Sequence, residues 1–297
     1  MFPTLSKQLQ QVVIAPMDST LIICGVFYVA FSLAPIPVYA RIVSIFFTDP
    51  SFRKHQCYIL MALVGIVEIA YVASCAVFGL AVATQLQFFV WLTENVFAAI
   101  ISATWQMNLA MNLTLAVNRL AVLCAIRIPN SVIWLMVLAS AVIGLFIVIF
   151  NIGGYAVQFR IVLNSMSFDA TTVYGSFIEL FGLYSCVIIV GVSVVVYVVI
   201  FCFVVKKRQK FLLQSAAVTR NELKLLLQAA ILFFLCMCVE LAYFRAAAVL
   251  PASIWTPFSV HLAAILTCGW VNPVLLLCFN RYVIICCRMT LKSNALA

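Results

Sequence analysis

The chain predicts an all-α membrane protein: a bundle of seven transmembrane helices, N-terminus outside the cell and C-terminus in the cytoplasm. Three observations predict it. Hydrophobic residues make up 67% of the 297 residues and charged ones only 8%, with a mean hydropathy of +1.22; a soluble domain carries about 45–50% apolar and about 25% charged residues. The apolar residues fall in seven runs, each long enough for a span of about 20 residues. The basic residues gather at one end of the resulting bundle. Of the 17 Lys and Arg residues, all but Lys7, Arg160 and Arg245 lie in connections on one side, which the positive-inside rule makes cytoplasmic. An odd number of spans then leaves the N-terminus outside.

The spans follow from stretches free of charge. Helix α1 is expected over 21–46 and α2 over 57–83, interrupted by Glu68. Helix α3 covers 89–122, uncharged from Val96 to Val117. Helix α4 covers 131–155; α5 covers 174–205 and is uncharged after Glu179. Helix α6 covers 224–250 and holds Glu240, and α7 covers 258–280. The first apolar run begins too far in, and runs too long, for a signal-peptide core. Residues 1–20 are therefore expected as an extracellular N-terminus, 21–286 as the seven-helix domain and 287–297 as a cytoplasmic tail. The longest connection, around residues 206–223, has no room for a soluble domain.

Several function classes drop out. A net charge of +9 is accounted for by topology and needs no nucleic acid. The 12 Cys residues are scattered through apolar runs, and His55 and His261 have no companions at metal-ligand spacing; most of the Cys read as small buried hydrophobes. No catalytic signature such as His-Glu-x-x-His, Gly-x-Ser-x-Gly or a phosphate loop occurs, so neither an enzyme nor a metal site is expected.

Polar residues inside the membrane are the informative ones, because a central charge costs about 2.5–3.5 kcal/mol on insertion scales. Glu68 lies midway along α2. Asn108 and Asn112 are four apart on α3, with Arg119 seven beyond, so the three share a face. Asn272 and Pro273 interrupt α7. Glu68, Asn108, Asn112 and Asn272 are expected to form one buried polar cluster; interhelical hydrogen bonding without further function is the competing reading. Toward the outer end, Glu94, Asn95, Trp105, Tyr184, Glu240, Tyr243 and His261 outline an apolar pocket with a few converging polar groups. An ordinary interfacial aromatic belt would account for some of them. Past α7, Phe279, Tyr282, Val283 and the Cys286–Cys287 pair are spaced for one apolar face of a short amphipathic helix 8. That Cys pair is either palmitoylated or buried unmodified.

Asn118-Arg119 at the end of α3 and Asn272-Pro273 in α7, on seven spans with the N-terminus outside, resemble rhodopsin-like G-protein-coupled receptors. A closer resemblance is to nematode serpentine chemoreceptors of class T and their class X relatives. It is carried by Pro35-Ile-Pro-Val-Tyr39, Cys57-Tyr58-Ile-Leu-Met61, Gly65-Ile-Val-Glu68, Leu115-Ala-Val-Asn-Arg119 and Glu222-Leu-Lys-Leu-Leu-Leu-Gln228. The resemblance implies a chemosensory receptor for an odorant or pheromone-like small molecule, in the plasma membrane, in this family at sensory neuron cilia. It implies a heterotrimeric G protein as partner, with Arg119 as the contact and Glu222 as its resting partner. Asn118 stands where the family carries an acid. Glu68 matches the α2 acid of the family's sodium pocket, with Asn108 and Asn272 at its other positions, so a sodium ion is the one cofactor implied. Glu94 replaces the usual α3 cysteine, and the α4–α5 connection has no Cys, so the outer disulfide is not expected. The alternative to a receptor is a seven-helix transporter with a midplane polar site; no repeat of α1–α3 recurs in α5–α7. A retinal protein is excluded, because no Lys lies between Lys224 and Lys292 to form the Schiff base.

Overall fold

The computed structural model describes residues 19–152, 160–162, 165–167, 173–210, 227–228, 230–243, 253 and 255–279. Helix 8, Glu222 and the basic connection before α6 lie outside the described residues. Among those described, α1 is one span, Ser19–Thr48, made of Ser19–Leu33 and Ile36–Thr48. Helix α2 is Gln56–Thr84, α4 is Asn130–Ile152 and α5 is Val173–Lys210; α6 is described over Ala230–Tyr243. Helix α3 comprises Gln87–Leu92, a π turn at Thr93–Phe97, and Ala98–Leu123. Helix α7 runs Trp255–Leu266, through a π turn at Thr267–Val271, into Asn272–Phe279. The bundle is all α, as expected. The α4–α5 connection adds a small antiparallel hairpin that the apolar-run pattern does not foretell, β1 (Arg160–Val162) with β2 (Ser165–Ser167), pairing Arg160 with Ser167.

Local chemistry accounts for the ends and breaks. Pro35 has no N–H to continue the α1 ladder, and the helix divides there. Helix α5 continues to Lys210, beyond the expected 205, because Lys, Arg and Gln are good helix formers outside the bilayer. Asp49 caps the single turn Pro50–Arg53, accepting from the Ser51 N–H at 2.8 Å. Gln85, in the left-handed region at φ 52°, closes α2. The π turn of α7 ends directly before Asn272-Pro273, where the proline again removes a donor.

Among the described residues, five helices are long and apolar enough to cross a membrane. Helix α3 is long but more polar, because Gln106, Asn108, Asn112, Asn118 and Arg119 all lie along it, and all but Asn112 are buried. It and α2 form the centre; α4 and α5 expose most of their Val, Leu and Ile on the outside, as helices facing hydrocarbon do. One core cluster joins Tyr28, Tyr71, Phe78, Val239 and Ile265; a second, toward the basic end, joins Ile42, Phe46, Leu60, Leu115, Ile133 and Leu276.

Because lipid tails are as apolar as Leu, such helices associate by close packing and polar contacts. Between α1 and α2 the backbones nearly touch. A Cβ on Gly25 would stand 2.4 Å from the Ala83 nitrogen and 2.6 Å from the Gly79 oxygen. Between α3 and α4, Met107 lies across Gly144, with its sulfur 2.2 Å from where a Cβ would be.

Candidate functional site

The deepest polar group is Glu68, 0% exposed and midway along α2. An acid in this position needs donors, and α1 and α7 supply them. The Tyr39 hydroxyl donates to Oε2 of Glu68, and the Asn272 amide donates to the same oxygen at 2.9 Å and to the Tyr39 oxygen at 2.6 Å. The Gln228 amide of α6 reaches Asn272 Oδ1 at 3.4 Å. Three helices are thus tied directly by one carboxyl, and a fourth through Asn272. Gly65, one turn before Glu68, makes room for the tyrosine ring: a Cβ there would meet Tyr39 Cε2 at 3.1 Å and Val43 Cγ2 at 2.7 Å. Gly65→Ala is therefore expected to displace Tyr39 and lower stability by about 1–3 kcal/mol, measured as a drop in the thermal midpoint in detergent. Gly65→Ala that matches wild type would mean that Tyr39 is not held by this gap.

Asn108 and Asn112 form the α3 side of this region. The Asn112 amide donates to the Asn108 carbonyl at 2.9 Å and to its Oδ1 at 3.0 Å, and the Asn108 amide points at Cys268 Sγ of α7 at 3.5 Å. Asn108 also stands beside Glu68. Among the described residues, Oε1 of Glu68 and Oε1 of Gln228 are buried without a hydrogen-bond partner, so the network keeps acceptor capacity for one more group. A cavity of about 10 Å³, room for about one water, opens toward the basic end among Met61, Val64, Asn112, Leu115, Arg119, Gln228, Leu232 and Asn272. Arg119 is 5% exposed there, and Tyr197 of α5 lies within its electrostatic reach. Asn118 beside it is buried as well.

The outer group is divided. The Trp105 indole donates to Oε1 of Glu240, joining α3 to α6; Cys186 of α5 stands against the same carboxyl. Of the other residues expected around the outer pocket, Tyr184, His261 and Glu94 lie away from this contact. Tyr184 is 62% exposed on the outer surface of α5. His261 is turned toward α1 and α2, edge-on to Tyr28 and Phe78 with ring centroids 5.1 and 4.8 Å away. Glu94 sits in the π turn of α3, which packs against α2 and α4. That turn inserts an extra residue, so a 3.6-residue count cannot carry Glu94 onto the face of Trp105. Tyr243 is half-exposed near the end of the described part of α6, and the Asn95 side chain lies outside what is described.

Other polar residues in the network were not singled out from the sequence. Gln106 bridges α3 to α5, donating to the Gly182 carbonyl at 3.3 Å and accepting from the Ser185 hydroxyl at 3.3 Å. Gln106 and Gln228 carried the same signal as the Asn residues, an uncharged amide inside an apolar run. Tyr39 carried a weaker one, a phenol four residues past a proline.

Neither a protein-family model nor a curated protein sequence matches the chain. Its fold, however, is similar to that in the crystal structure of squid rhodopsin, with a TM-score of 0.70 at 12% identity over 93% of this chain and 86% of that one. The chain therefore has the rhodopsin-like seven-helix fold.

Proposed function

We propose that the chain is a G-protein-coupled receptor of the plasma membrane that responds to a small-molecule cue of the odorant or pheromone type. The observation that carries this reading is Arg119. In a rhodopsin-like fold it sits buried at the basic end of α3, facing a cavity it shares with Asn112, Gln228 and Asn272. Asn272 in turn holds Glu68. Arg119 is thus one cavity away from the carboxyl that ties α1, α2 and α7 together, so a shift in those ties alters what surrounds it. Ligand entry from the outer end would act on the Trp105–Glu240 contact, which joins α3 and α6 above that network.

The test is expression in a heterologous cell with cAMP and calcium readouts, screened against volatile and water-soluble odorants. Arg119→Ala is expected to reduce coupling at least tenfold at unchanged surface level, and Trp105→Phe to shift the ligand response without abolishing expression. Ligand-evoked signalling that ignores Arg119→Ala would reject Arg119 as the coupling contact, and a correctly trafficked protein that gives no signal but takes up solute would reject the receptor reading in favour of transport.

A sodium ion fits the Glu68 cluster by donor chemistry: among the described residues Oε1 is a buried carboxyl oxygen without a hydrogen-bond partner, the kind of hard oxygen ligand such an ion takes. Exchanging KCl for NaCl at constant ionic strength is expected to raise the thermal midpoint of wild type, but not that of Glu68→Gln. An equal shift in both would place the ion elsewhere.

A further inference from the structure

Pro35 removes the N–H that would bond the carbonyl four residues back, that of Phe31. The structure supplies a replacement from another helix: the Trp270 indole N–H donates to the Phe31 carbonyl at 2.9 Å. The two aromatic rings meet edge to face, 6.4 Å apart. Four residues beyond Pro35 on the other side, the Tyr39 hydroxyl accepts from Asn272 at 2.6 Å. Helix α7 therefore grips α1 on both sides of its break. Between the two grips Gly269 lets the helices close, for a Cβ there would stand 3.2 Å from the Pro35 ring and 3.0 Å from Val72.

Both gripping residues belong to or adjoin the π turn Thr267–Val271. A π turn holds one residue more than the α-helix it interrupts. Losing it rotates one side of the helix against the other by about 100° and shifts it by about 1.5 Å. No such movement can preserve both contacts. We propose that the Pro35 break and the α7 π turn form one latch, in which Trp270 supplies the hydrogen bond that Pro35 cannot make, and that α7 changes register when this bond is lost. Loss of register withdraws Asn272 from Glu68 in the same step, so the outer and inner grips open together.

The experiment is amide hydrogen exchange on the full chain in detergent, comparing wild type, Trp270→Phe, Pro35→Ala and the double variant, with the exposed Trp255→Phe as reference. Trp270→Phe keeps the ring and removes the donor. It is expected to accelerate exchange on the order of tenfold, the effect of one net hydrogen bond, over 267–279 and around Pro35, while α4 stays as in wild type. Pro35→Ala returns a backbone partner to Phe31, so adding Trp270→Phe to it should change little further. Equal acceleration in both backgrounds, acceleration spread evenly into α4, or none at all would each overturn the latch. If Trp270→Phe fails to fold, recovery of folding in the double variant supports the proposal, and failure of the double variant rejects it.

Discussion

Glu68→Ala is expected to lower stability by about 2–6 kcal/mol, whereas Glu68→Gln costs no more than about 1–2 kcal/mol. The alanine leaves the Tyr39 hydroxyl without its acceptor and the Asn272 amide with only one of its two, and both residues are buried. A buried donor left unmet costs about 1–3 kcal/mol, and lipid offers no water to relieve it. Glutamine keeps one oxygen in reach of both donors and removes only the ionisable group. A thiol-reactive fluorophore can follow the unfolding, because Cys24, Cys75, Cys236 and Cys268 are buried thiols that react only when the bundle opens. Equal losses for alanine and glutamine would show that charge rather than acceptor capacity matters. Two silent variants would mean that the cluster does not hold the helices.

The second large effect is expected at Gly25. Its missing Cβ is surrounded by backbone: the Ala83 nitrogen, the Gly79 oxygen and the Ala83 Cβ all lie within 2.6 Å of it. No side chain can swing away, so Gly25→Ala has to separate α1 from α2 along their whole contact. Overpacking costs about 1–3 kcal/mol when neighbours can adjust, and more is expected here, enough to remove most surface expression. Two other glycines calibrate the result. At Gly144 the clash is with the flexible end of Met107, so alanine should cost less. At Gly191 nothing lies within 4 Å, and alanine should be neutral or slightly stabilising, since it is the better helix former. A Gly25→Ala protein as stable as Gly191→Ala would show that the two helices are not in backbone contact.

The spans were legible because the membrane imposes them. The expected 57–83 and 131–155 correspond to Gln56–Thr84 and to a helix described over Asn130–Ile152, as uncharged length alone requires. The direction each helix faces was less legible. A soluble helix announces its buried side by an apolar stripe, but α5 is Val, Ile and Leu on all sides, and nothing in its order shows that Tyr184 looks outward. Polar residues restored that information where they occurred. The four-residue spacing of Asn108 and Asn112 brings them together on α3 below the π turn. Within that turn the count slips, so spacing alone does not relate Glu94 to Trp105. His261 illustrates another gap: Tyr28 and Phe78, which surround it, come from helices more than 180 residues earlier, and no local pattern links them.

The break at Pro35 bears on how the bundle is assembled. During synthesis α1 enters the bilayer first, already lacking the donor for Phe31, and α2 follows with Glu68. The partners that both require, Trp270 and Asn272, arrive with the last helix. A chain truncated ahead of α7 thus carries an open carbonyl and a carboxyl short of one donor in hydrocarbon, a chemical mark that distinguishes an unfinished product from a finished one. Closure of α7 onto α1 supplies both missing donors at once.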